Sequence, residues 1–183
     1  MKTAFVIPFY GDKIGGGAET QCRLLAENLH KRGVEVEIIT TCIKDFMGDW
    51  SHNHHRAGLG EVNGVPVRRF EVRPVNGALL GRINEKLMAR EPVTIEEEVD
   101  YADNAVNSDA MYHYIGENKR DYVYFFIPYL FGSTLNGLNI APEKSFLIPC
   151  LHDEGYADMR ITRRISRRRR GCCSTAGRRC AWP

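Results

Sequence analysis

The sequence predicts an α/β fold, an open, mainly parallel sheet with helices on both faces. Three observations carry this. Residues 2–8 and 34–40 are short apolar runs flanking a helical stretch, 18–31, that stops at Gly33. The turn between the first run and the helix holds Gly15, Gly16 and Gly17 in succession. Residues 122–127 and 145–150 are near-continuous apolar runs, as expected of parallel strands covered on both faces. A strand–helix–strand unit with glycines at its first turn is the building block of Rossmann-like sheets. Backbone amides at such a helix start can hold a phosphate. The glycines have a second reading, in which they only let helix and strand pack closely.

The first helix shows Cys22, Leu25, Ala26 and Leu29 at i, i+3, i+4, i+7 spacing, which marks a face packed on the sheet. Cys22 is read as a small core residue, and Glu19 suits the positive start of the helix. Residues 45–60 form a polar, aromatic loop containing His52, His54 and His55. The loop lacks the cysteines or fixed helical spacing of a metal centre, so no metal is assigned to it. Asn63-Gly64 is a hairpin turn between 61–62 and 65–70, with Val65 and Val67 inward. Helices follow at about 78–89, 94–100 and 104–118. Thr94 with Glu97 forms a capping box, and Glu96, Glu97 and Glu98 read as an acidic first turn rather than a catalytic cluster. A short helix is expected within 129–138.

Beyond the strand at 145–150 lie His152, Asp153 and Glu154. Open α/β sheets bind ligands just past the carboxyl ends of their strands, so the glycine turn and His152 share one edge. His152 is read either as a ligand contact or as a strand-end cap. The dinucleotide fingerprint G-x-G-x-x-G is absent, and Lys13 precedes the glycines rather than following them, which disfavours both a dehydrogenase and a P-loop enzyme. Thr40-Thr41 also stands where a dehydrogenase would carry its ribose-binding acid. No cofactor is assigned. No secretory signal is visible and no apolar run approaches the ~20 residues of a membrane span, so a cytoplasmic protein is expected.

Several stretches resemble a known family. Residues 1–10, the turn Gly15-Gly16-Gly17-Ala18-Glu19 and residues 24–29 are similar to the start of the N-terminal domain of family four glycosyltransferases. Residues 62–70 resemble that domain's third-strand segment, and residues 149–154 its fifth-strand histidine motif. The resemblance covers about residues 1–160. It implies one half of a GT-B architecture, two Rossmann-like domains facing a cleft. It also implies transfer of a sugar from a nucleotide diphosphate sugar to an acceptor, with retention of configuration. Carried over residue by residue, it puts Gly15, Gly16 and Gly17 by the donor diphosphate and His152 by the donor sugar as the catalytic contact. Asp153 and Glu154 then follow on the substrate side. The partners implied are the nucleotide diphosphate sugar and an acceptor it does not name, with room for peripheral membrane contact. The family's C-terminal donor domain is not found in the sequence. The resemblance therefore implies an acceptor-side domain that is inactive alone and self-associates through uncovered apolar surface. The alternative is a stand-alone phosphate-ligand module or the partner half of a split enzyme.

Residues 161–183 read differently. They hold eight arginines, three cysteines (Cys172, Cys173 and Cys180) and no acidic residue, enough to turn an acidic 1–160 into a chain of net charge +2. Arg, Cys, Ala, Gly and Trp are what a GC-rich gene yields out of frame, and shifting the frame lets the codons from Gly171 onward spell a strand, a turn and an acidic helix start. The expectation is a domain ending near 160, followed by an out-of-frame tail that is disordered or weakly helical. Arg167–Arg170 lack the interleaved aromatics of a nucleic-acid site, and the cysteines lack C-x-x-C spacing. No specific nucleic acid is assigned.

Overall fold

The computed structural model describes residues 1–168. The expectations placed on 169–183, the cysteine cluster included, lie outside the described residues. Six strands form one sheet: β1 Lys2–Val6, β2 Val36–Thr41, β3 Gly58–Val62, β4 Val65–Phe70, β5 Tyr122–Phe126 and β6 Ser145–Leu147. Their order is β3-β4-β2-β1-β5-β6. All neighbours are parallel except the β3–β4 hairpin. The fold is α/β and Rossmann-like. The hairpin turns on Asn63 at φ 52° and Gly64 at φ 83°, the paired positive values that a two-residue turn matching strand twist requires.

The helices are α1 Gly17–Lys31, α2 Gly77–Met88, α3 Ile95–Asn104, α4 Asp109–Glu117, α5 Gly132–Gly137, α6 Gly155–Asp158 and α7 Arg160–Arg168. The capping box forms as expected. Glu97 N donates to Thr94 Oγ1 at 3.1 Å, and Thr94 N donates to Glu97 Oε2 at 2.8 Å.

Side chains alternate between the faces of each strand, and the two faces are covered unequally. On one face Ala4, Val6, Ile39, Tyr122, Tyr124 and Phe126 pack against α2 to α5 and α7. On the other, Phe5, Ile7, Val36, Ile38, Val65 and Val67 meet Cys22 and Ala26 of α1. α1 packs against β2 and β4. Toward the far side of the sheet Val123, Phe125 and Phe146 are only half-buried, although Phe125 stacks on Phe146 at 5.5 Å. β5 is therefore not covered on both faces as its composition suggested. Leu25, expected in the core, is 38% exposed, and Leu29 is half-buried. Glu19, Cys22 and Ala26 are the buried residues of α1 instead. β6 forms one edge of the sheet.

At the opposite end of the strands from the glycine turn sits a buried ion pair. Arg68 Nε donates to Glu37 Oε1 at 2.6 Å, and the Tyr122 hydroxyl donates to Glu37 Oε2 at 2.5 Å. The Arg68 guanidinium also lies 4.6 Å over the Tyr114 ring. These contacts join β2, β4, β5 and α4.

The boundary drawn at 160 falls inside α7, and residues 161–168 are helical. Glu98 of α3, only 4% exposed, supplies the reason. Its two carboxylate oxygens accept the backbone N–H groups of Arg160 at 3.0 Å and Ile161 at 2.9 Å, so it caps α7 from another helix. Thr162 and Ile165, three apart, are buried beneath.

Candidate functional site

From β1 the chain steps one way to β2 and β4, then returns past β1 to β5 and β6. The reversal opens a crevice beyond the carboxyl ends of β1 and β5, where such sheets bind ligands. The loop after β1 carries the three glycines. Gly16, at φ 153° and ψ 149°, is the N-cap of α1 and offers no side-chain cap. Only glycine adopts that backbone readily. Thr20 N donates to Gly16 O at 3.0 Å, which begins the helix and leaves the earlier amides without helical partners. Gly15, Gly16 and Gly17 are exposed. Arg23 secures the loop by donating to Gly11 O at 3.1 Å and Ile14 O at 3.3 Å. An open groove of about 700 Å³ runs from Gly16 and Gly17 along Thr20, Gln21, Leu24, Leu25 and Asn28.

Glu19 bears directly on this turn. A Cβ added to Gly16 would lie 2.1 Å from Glu19 Oε2, so the carboxylate is folded back over the helix start. Burial pushes the Glu19 carboxyl above its ordinary value, only partly opposed by a hydrogen bond from its own backbone. In the fold the ionised form is thus disfavoured. That penalty is absent below the unfolded value of about 4.3 and present once pH exceeds the raised folded value. Glu19→Gln is expected to raise stability at pH 7 and to leave it unchanged near pH 3.5. Urea titrations at the two pH values measure this, and a destabilised Glu19→Gln protein at pH 7 would show that attraction to the helix start outweighs burial.

The loop after β6 meets α1. The Cys150 thiol donates to Gln21 Oε1 at 3.4 Å, with Cys150 in the left-handed region at φ 50°. Tyr129 N donates to Pro149 O at 3.2 Å, tying the same loop to the end of β5. Burial raises the Cys150 thiol to about 11. Cys22 is fully buried, and burial likewise raises its thiol, in keeping with its reading as a core residue. The structure brings the glycine turn and the start of the 150–154 segment to one edge, as expected. Within that segment the three polar residues differ. His152 is exposed. Asp153 is held by Arg90, which donates to its Oδ1 at 2.8 Å and to its backbone carbonyl at 2.6 Å. Glu154 Oε1 accepts the Tyr129 hydroxyl at 2.7 Å. Asp153 and Glu154 therefore hold the loop in place, and His152 is exposed with no side-chain hydrogen bond among the described residues.

Toward the β2 side, the loop that reads as polar folds inward through its aromatics. Trp50 lies against Phe131 at 5.5 Å and Phe9 at 6.2 Å, while Phe46 meets Trp50 at 5.6 Å and stays 54% exposed. His55 turns back toward β2, where its N donates to Cys42 O at 2.8 Å, while His52 N donates to Asp49 O at 3.1 Å within the loop. Among the described residues no cluster of His, Cys, Asp or Glu could hold a metal. No described helix is long and apolar enough to cross a membrane.

Sequence reasoning missed Arg69. Its Nη2 donates to Tyr10 O at 2.9 Å, beside the loop after β1. The signal was present, because Arg69 continues the Val65, Val67 alternation and so shares their face. No family model, no curated protein and no solved structure matches this chain.

Proposed function

We propose that this chain is the acceptor-side domain of a retaining glycosyltransferase of the family-four kind, which uses a nucleotide diphosphate sugar. The observation that carries the reading is the Cys150–Gln21 contact, which sets the loop bearing His152 against the helix that opens with the glycine turn. Transfer of a sugar from a diphosphate develops negative charge on the leaving group. Amides at a helix start stabilise such charge once the Glu19 carboxylate folded over the turn moves aside. His152 supplies an exposed imidazole that can donate to a hydroxyl or accept from one. One wall of a cleft leaves much of a donor's surface in water, so affinity near 1 mM, about −4 kcal/mol, is expected.

Backbone amide shifts under titration with a nucleotide diphosphate sugar test the reading. Shifts centred on Gly15–Ala18 and His152 are expected, and Gly16→Val should abolish them. The valine both forbids the Gly16 backbone and pushes the Glu19 carboxylate. Equal response to inorganic phosphate and nucleotide sugar, with His152 silent, would favour a phosphate-binding module. No shift at the turn would sink both readings.

A further inference from the structure

Three unpartnered polar atoms belong to residues at the carboxyl ends of β1, β2 and β4. The Tyr10 hydroxyl, Thr40 Oγ1 and Arg69 Nη1 are all buried without a hydrogen-bond partner. Tyr10 is 1% exposed and Thr40 0%. Thr40 and Arg69 are direct partners in the β2–β4 register. Both fall on the α1 face by alternation with Ile38 and Val67, and Tyr10 packs in that same cluster. Arg69 already grips the Tyr10 carbonyl. Buried polar atoms are nearly always satisfied. Among the described residues Arg73 Nε, Ser133 Oγ and Thr162 Oγ1 are also without partners, but the Tyr10, Thr40 and Arg69 atoms fall together beyond and at the ends of neighbouring strands. All three can donate, and none of the ion pairs among the described residues involves Arg69. A half-buried guanidinium without an acid is costly to keep. Space and charge at the mouth agree. Gly58, the other strand partner of Arg69, has nothing within 4 Å of where a Cβ would sit. His55 is brought to the end of β2 by its bond to Cys42, with His54 stacked edge-on at 4.9 Å. Burial first, and then the charges of Arg69 and His54, depress the protonation of His55, so the three lie within electrostatic reach.

We infer that the carboxyl ends of β1, β2 and β4 form a second anion site. There Arg69, Tyr10 and Thr40 bind a phosphate-bearing group of the acceptor, with His55 at the entrance. The word acceptor rests on the glycosyltransferase reading, whereas the site rests on the orphaned donors. A planar guanidinium with two flanking hydroxyls suits the oxygens of a phosphate monoester.

The test is titration with inorganic phosphate, following backbone amides and the Arg69 Nε–Hε signal. Saturable shifts at Tyr10, Thr40, His55 and Arg69 are expected, and Arg69→Met should remove them. Tyr10→Phe and Thr40→Val each delete one orphan hydroxyl. Each is expected to weaken phosphate binding about fivefold while leaving stability equal or higher, a combination that a purely structural role would not give. Repeating the titration with glucose 6-phosphate and with phosphatidic acid vesicles separates a soluble phosphate monoester from a lipid headgroup. Phosphate shifts confined to Gly15–Ala18, or unchanged in both hydroxyl variants, would overturn the second site. Loss of the nucleotide-sugar response at the glycine turn, with the Arg69 response intact, would instead remove the glycosyltransferase reading and leave the site standing.

Discussion

Glu37→Ala is expected to destabilise the fold by about 3 kcal/mol, the lower end of what removing one partner of a buried ion pair costs. Arg68 remains 28% exposed, so water recovers part of the loss, which is why the lower end applies. The damage reaches beyond the pair, because the Tyr122 hydroxyl loses its acceptor as well. For a domain of this size the drop corresponds to roughly 6–12 °C in Tm. Denaturant unfolding of Glu37→Ala, Arg68→Ala and the double variant measures the coupling. A double variant no better than the sum of the singles would show that the two side chains act independently. Because the pair lies at the far end of the strands, ligand shifts at Gly15–Ala18 should survive under conditions where the variant stays folded.

Gly155→Ala is expected to cost about 2–3 kcal/mol through overpacking. A Cβ at Gly155 would lie 2.2 Å from the Leu87 carbonyl at the end of α2, and a backbone atom cannot step aside as a flexible side chain does. The strain falls next to Glu154 and Asp153, so the Tyr129 and Arg90 contacts that hold the 150–154 loop should loosen together. Denaturant melts read the stability. The amide spectrum of residues 150–154 reads the loop, and an unchanged spectrum with full stability would show that α6 and α2 can part at no cost.

Much of the fold is legible from local pattern. The apolar runs of β1, β2 and β5, the Asn63-Gly64 turn and the Thr94–Glu97 box each announce themselves within a few residues, and each forms. What pattern cannot report is whether an apolar face is covered. Val123 and Phe125 sit at positions a core would use, yet α1 packs against β2 and β4 and leaves β5 partly open on that face, while Leu25, on α1 itself, stays exposed. Composition hid the docking of α7 for a related reason. The arginines of α7 dominate its sequence, while its docking depends on Thr162 and Ile165 and on a carboxylate from α3. At the candidate site the glycine turn and the loop after β6 were readable because their chemistry is local. Arg69 and Thr40 become a pair only through the β2–β4 register, which no single segment encodes.

The Glu98 cap gives the last helix an unusual form of dependence. Helix ends are commonly closed by a residue beside them in the chain, and a break in the chain then removes helix and cap together. Here the acid and the amides it serves are 62 and 63 positions apart. Proteolytic nicking just before Arg160 would leave Glu98 folded into the interior with both oxygens bare. Such a shortened domain would hold a buried acceptor with no donor, at a cost of about 1–3 kcal/mol. Helix α7 in this way acts as a counter-charge for the core rather than as an appendage to it.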